Sequence, residues 1–142
     1  MNLKRIIDIY DIIKDRLPAT YPRPKLAFFE DEDSMLDNND LPRKEDETVY
    51  AIVNPNTYTI NLPLSMVLEH TGRSNKTIQK TVPLNKFIEK DIALTLLHEI
   101  GHLYAGERYG YNSKQYGDEK YCDKFAERWC RVLIKERLIY KE

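Results

Sequence analysis

The sequence predicts an α+β fold in which a small, mainly antiparallel sheet packs on one central helix and further helices. Three observations lead there. Apolar residues recur at helical spacing in an N-terminal, a central and a C-terminal segment; two β-prone runs flank a turn-forming tetrapeptide; and 142 residues suit a single domain, residues 1–142.

Leu3, Ile6, Ile7, Tyr10, Ile13 and Leu17 form an amphipathic helical stripe, with Asn2 placed as N-cap and Pro18 as the stop. Pro22 and Pro24 break the chain, and residues 25–29 (KLAFF) read as a strand. Nine acidic residues crowd positions 30–47 together with Pro42 and two asparagines, the composition of a solvated loop. Residues 48–53 and 58–62 are β-prone and enclose Asn54-Pro55-Asn56-Thr57, which predicts a hairpin. Pro63 opens a short helix to about His70, and residues 73–83 are polar and basic, as in a loop. Asn85 is placed to cap the next helix, whose Ile88, Ile92, Leu96, Ile100 and Leu103 recur at three- and four-residue steps until about Gly110. After a Gly- and Tyr-rich link, residues 118–139 predict a last helix with Tyr121, Phe125, Trp129, Val132 and Leu133 on its buried side. There is no internal repeat or low-complexity tract.

Charge is balanced, 22 Lys and Arg against 23 Asp and Glu, so no global field favours nucleic acid or an anionic membrane, and no nucleic-acid partner is expected. Acidic Asp8 and Asp11 interrupt the N-terminal apolar residues, which excludes a signal-peptide core. No apolar run approaches the roughly 20 residues of a membrane span. Cys122 and Cys130 lie eight apart on one predicted helix, a rise of about 12 Å. A disulfide needs Cα atoms within about 7 Å, so the pair stays reduced and a cytoplasmic location is expected.

The chemistry lies in His98-Glu99-Ile100-Gly101-His102. Histidines four residues apart project from one helix face and can converge on one ion, while the intervening Glu99 is aimed to hold a metal-bound water. The expected cofactor is Zn2+, which lowers the pKa of a bound water to about 7; Glu99 is the candidate general base, returning the proton to the leaving amine. A bland pair of packed or solvated histidines is the alternative. With only three histidines in the chain, a chance match is improbable. A catalytic zinc needs a third protein ligand. No histidine follows His102, and Ala105 and Arg108 stand where an extended metzincin pattern needs Gly and His. The remaining choices are a carboxylate or an upstream group. Glu119 and Asp123 share a face of the last helix, Glu127 continues the acidic stripe as a fallback ligand, and His70 reads as a surface histidine.

Glu119-x-x-Cys122-Asp123-x-Phe125-Ala126 resembles the Glu-x-x-Ala-Asp/Asn-x-Phe-Ala signature of gluzincin zinc peptidases of the CAAX-protease/HtpX kind and of the ImmA/IrrE kind. With no apolar spans, the chain is most similar to the soluble minigluzincins. The resemblance implies a zincin-like fold and a zinc-dependent metallopeptidase, an endopeptidase acting on a peptide or protein substrate. It implies His98, His102 and Glu119 as metal ligands, and Asp123 as the carboxylate that orients His98. Tyr58-Thr59-Ile60-Asn61 and the apolar lead-in to His98 extend the likeness weakly. Cys122 departs from the usual Ala, a small-for-small change that leaves the ligand assignment standing; its thiol reads as inert packing, with competition for the metal as the alternative. Such peptidases add substrate to an exposed strand, here residues 58–61 or, second, 49–53. The resemblance also suggests latency through residues 140–142. The alternative function is a latent or regulatory zincin-fold module that binds zinc and acts on one protein partner without general proteolysis.

Overall fold

The structure, a computed structural model, describes residues 3–42, 51–63 and 84–139. The expected helix over 63–70 with His70, the loop over 73–83, residues 48–50 of the first hairpin run and the tail 140–142 lie outside the described residues, apart from Pro63. In chain order the elements are α1 (Leu3–Arg16), β1 (Lys25–Phe29), α2 (Glu32–Asn38), β2 (Ile52–Asn54), β3 (Thr59–Pro63), α3 (Leu84–Tyr109) and α4 (Glu119–Lys135). The class is α+β, with four helices and one three-stranded sheet among the described residues.

The sheet is mixed, which corrects the mainly antiparallel expectation. Strand order is β1-β3-β2; β1 runs parallel to β3 over five residue pairs and β2 antiparallel to it over three. A turn signal reveals only the local hairpin partner, whereas the parallel pairing arises from a long connection that carries the chain back beside β1. The hairpin forms about the expected turn, but β2 is Ile52–Asn54, taking in Asn54 and leaving out Ala51. Asn54 Oδ1 accepts from the backbone N–H groups of Asn56 and Thr57 at 3.0 and 3.3 Å, and Tyr58 closes the turn at φ 55°. Because β3 is flanked by β1 and β2, residues 59–61 are not an open edge, and among the described residues β2 is the outer strand on the side of the site.

The acidic segment was expected as a loop but contains α2. Asp31 caps it by accepting from the Ser34 N–H at 2.8 Å, and Glu32 and Asp33 fall in the first turn, where negative charge favours a helix. Met35 and Leu36 bury against the sheet side of the molecule. Two apolar residues among many charges gave too little periodicity to read.

The core joins α1, the sheet, α3 and α4. In α1 the buried stripe is Ile6, Ile9, Tyr10 and Ile13, continued by Leu17 just past its end, and Ile7 is exposed instead. In α3 it is Ile92, Leu96, Leu97, Ile100 and Leu103; in α4, Cys122, Phe125, Ala126, Trp129, Cys130 and Leu133. The partly buried Arg5 pairs with buried Glu89 at 2.7 Å, tying α1 to α3. Helix α3 starts at Leu84, one residue before the expected cap, and stops at Gly110, whose φ of +99° suits glycine. Helix α4 ends four residues earlier than expected. Leu138 N–H bonds Leu133 C=O and Arg137 N–H bonds Ile134 C=O, a Schellman closure with Arg137 at φ 60°. Among the described residues no helix is long and apolar enough to cross a membrane.

Candidate metal centre

Helices α3 and α4 cross at the His98–His102 turn, and the crossing is close because Gly101 has no side chain. A Cβ there would stand 3.2 Å from the Phe125 ring and 3.4 Å from the Cys122 Cα. Asp118 caps α4 by accepting from the Lys120 and Tyr121 N–H groups at 3.0 and 3.3 Å, which starts the helix so that Glu119 sits in its first turn. These two devices place Glu119 and Asp123 opposite the two histidines.

His98 Nε2 lies 2.7 Å from Glu119 Oε2, and His102 Nε2 lies 3.4 Å from Glu119 Oε1, so one carboxylate faces both rings. The ring centroids are 4.9 Å apart. Each outer nitrogen is held in turn. His98 Nδ1 meets Asp123 Oδ1 at 2.8 Å and His102 Nδ1 meets the Tyr116 carbonyl at 2.6 Å. A carbonyl only accepts, so His102 carries its hydrogen on Nδ1, and the Asp123 carboxylate selects the same tautomer for His98. In the neutral rings both Nε2 atoms then present lone pairs toward a carboxylate. A cation placed between them would satisfy that arrangement. The donor set, two imidazole nitrogens and a carboxylate, is one that zinc accepts.

Glu99 is buried and lines the same cleft. Burial first, and then the charge of Glu119, push its carboxyl well above the usual carboxylate range, while the Val53 backbone N–H acts in the opposite direction. The cleft, about 600 Å3, is bounded by Ala51, Ile52 and Val53 at edge strand β2, by Leu41 and Leu94, and by Tyr116 and Gly117.

The structure therefore brings His98, Glu99, His102, Glu119 and Asp123 together at one cleft. Glu127, the fallback ligand, lines a separate groove with Cys130 and Arg131. Cys122 is fully buried, and its sulfur lies within 4.8 Å of ligand nitrogens of both histidines, so histidine, histidine and thiol form a second conceivable donor set. Burial and then Glu119, Glu99, Asp118 and Asp123 raise its pKa to about 12. The Glu119 carboxylate, 2.7 and 3.4 Å from the two rings, is the other candidate for the third donor. Sequence reasoning missed the Tyr116 carbonyl and the Val53 N–H, since backbone donors and acceptors leave no mark in side-chain identity. Compared with protein-family models, curated proteins and solved structures, the chain shows no significant match.

Proposed function

We propose that this chain is a zinc-dependent metallopeptidase of gluzincin-like, zincin type, with His98, His102 and Glu119 as zinc ligands and Glu99 as the general base. The observation that carries the reading is the pair of Nδ1-anchored histidines whose Nε2 atoms converge on Glu119.

Zinc bound there would acidify a water and polarise a scissile carbonyl. The remaining work falls to the chain itself. Asp123 and the Tyr116 carbonyl hold the two rings in their ligating tautomer and orientation. Glu99, with its proton affinity increased by burial, takes the proton from the attacking water and delivers it to the leaving amine. A cation held at the histidines would work against that increase. Strand β2, the outer strand on the cleft side among the described residues, runs along the cleft, so an extended peptide adding there would lay its scissile bond beside Glu99. The apolar Leu41, Ile52 and Leu94 suit apolar side chains of that peptide.

The test is metal content and cleavage of an unstructured protein substrate, compared between the natural chain and Glu99→Gln. We expect about one zinc per chain in both, and a loss in kcat of about 10²–10⁴-fold in the variant. Failure to bind zinc would sink the proposal. Zinc binding without cleavage in the natural chain would favour the regulatory module.

A further inference from the structure

On another side of the α3–α4 pair lies a cleft of about 370 Å3 that the peptidase reading does not use. Phe125 and Trp129 form part of its wall, Tyr21 and Tyr104 close it, and Arg108, Lys124 and Arg128 stand around it. Its rings are packed on one another. Tyr21 lies 4.7 Å from Tyr104 and 5.6 Å, edge-on, from Trp129, centroid to centroid. The two arginines are held against them: Arg108 sits 6.0 Å from the Tyr104 ring centre, with its Nη1 3.2 Å from the Tyr104 hydroxyl, and Arg128 sits 5.9 Å from that of Trp129.

An aromatic box alone selects a cation, through the negative faces of its rings. Here the lining carries three cations and no carboxylate, and among the described residues none of the three is paired with one. The preference is thereby inverted. The rings supply stacking surface for a flat apolar group, and the guanidinium and ammonium groups supply partners for a negative charge at its edge. The volume falls in the range of small-molecule sites, which begins at about 300 Å3. Nearly all of the wall is aromatic or cationic, which matches a compact ring better than an aliphatic chain.

We propose that this cleft binds a small aromatic anion, a planar ring carrying phosphate or carboxylate and no larger than a nucleoside monophosphate. The proposal is independent of zinc.

Trp129 is the single tryptophan of the chain and lines the cleft, so its fluorescence reports occupancy directly. The full chain is titrated with phenyl phosphate and with adenosine monophosphate, against adenosine and inorganic phosphate as controls. At least one of the two aromatic phosphates should give a saturable change, weakened several-fold by raised ionic strength. Arg108→Ala and Arg128→Ala, both at exposed positions, should each lower that affinity by about fivefold or more. Circular dichroism checks that the variants fold, and the ionic-strength response of the natural chain tests the charge requirement without any variant. Three results would overturn the proposal: no saturable change with either aromatic phosphate, adenosine binding as tightly as its monophosphate, or inorganic phosphate binding as tightly as both.

Discussion

Asp123 shows how much of a site can rest on a residue outside the proposed donor set. Its side chain is largely exposed, so little of the fold depends on it, yet its Oδ1 accepts from His98 Nδ1 at 2.8 Å and fixes which nitrogen faces Glu119. Asp123→Ala should therefore leave the thermal unfolding of the metal-free protein almost unchanged while weakening zinc binding by about 10–100-fold, measured by competition with a chromophoric chelator. Equal losses in both would mean that Asp123 supports the fold and not the ring. Glu119→Gln tests the neighbouring claim. If Glu119 is the third ligand, zinc affinity drops sharply in this variant and persists in Cys122→Ala. The reverse pattern would move the third ligand to the thiol, whose sulfur lies within 4.8 Å of the histidine nitrogens.

At the scale of elements, the crossing of α3 and α4 sets the distances on which those residues depend. Gly101 is the contact point, where a Cβ meets Phe125 and Cys122 at 3.2–3.4 Å. Gly101→Val should cost about 1–3 kcal/mol in denaturant unfolding through overpacking, and should lower zinc affinity by shifting Glu119 away from the histidines. Gly101→Ala gains up to about 1 kcal/mol of helix propensity against the same contacts and should fall between. The approximate extents of these two helices were legible in the sequence because their apolar residues repeat over several turns; helical spacing put His98 with His102 and Glu119 with Asp123, while the choice of Glu119 over Glu127 came from the resemblance. What depended on a few residues or on distant chain was not. Helix α2 has only Met35 and Leu36 to bury, the β1–β3 pairing joins strands whose register no local turn sets, and the Schellman closure of α4 uses Arg137 where glycine would have been the visible signal.

Across the whole molecule, α1 and α4 are joined at their ends by Arg16, whose Nε and Nη2 reach the two Glu136 carboxylate oxygens at 2.7 Å each. The Arg16 hydrogen bonds hold the Glu136 pKa below its ordinary value, so the contribution of the pair is present above the unfolded carboxylate pKa and fades as pH falls through the lower folded one. The melting difference between the natural chain and Glu136→Gln should accordingly be largest near neutral pH and shrink in acid; both groups are exposed, so the difference is small throughout. The proposed metal centre links elements that are farther apart in the chain. Its histidines lie on α3, its carboxylates on α4, and its His102 anchor at Tyr116 lies in the segment between them. An ion bound to this arrangement binds the folded chain far better than the unfolded one, because only folding brings the donors together. At a free zinc concentration a hundredfold above Kd, the stabilisation is about 2.7 kcal/mol, which for a chain of this length raises Tm by roughly 5–10 °C. Differential scanning fluorimetry with zinc, and again after a chelator, measures the shift. Magnesium, which binds poorly to imidazole, should leave Tm where the chelator does. The shift should vanish in a His98→Ala, His102→Ala double variant. A zinc-induced rise that survives the loss of both histidines would place the ion elsewhere, and no rise in the natural chain would remove the metal from the site altogether.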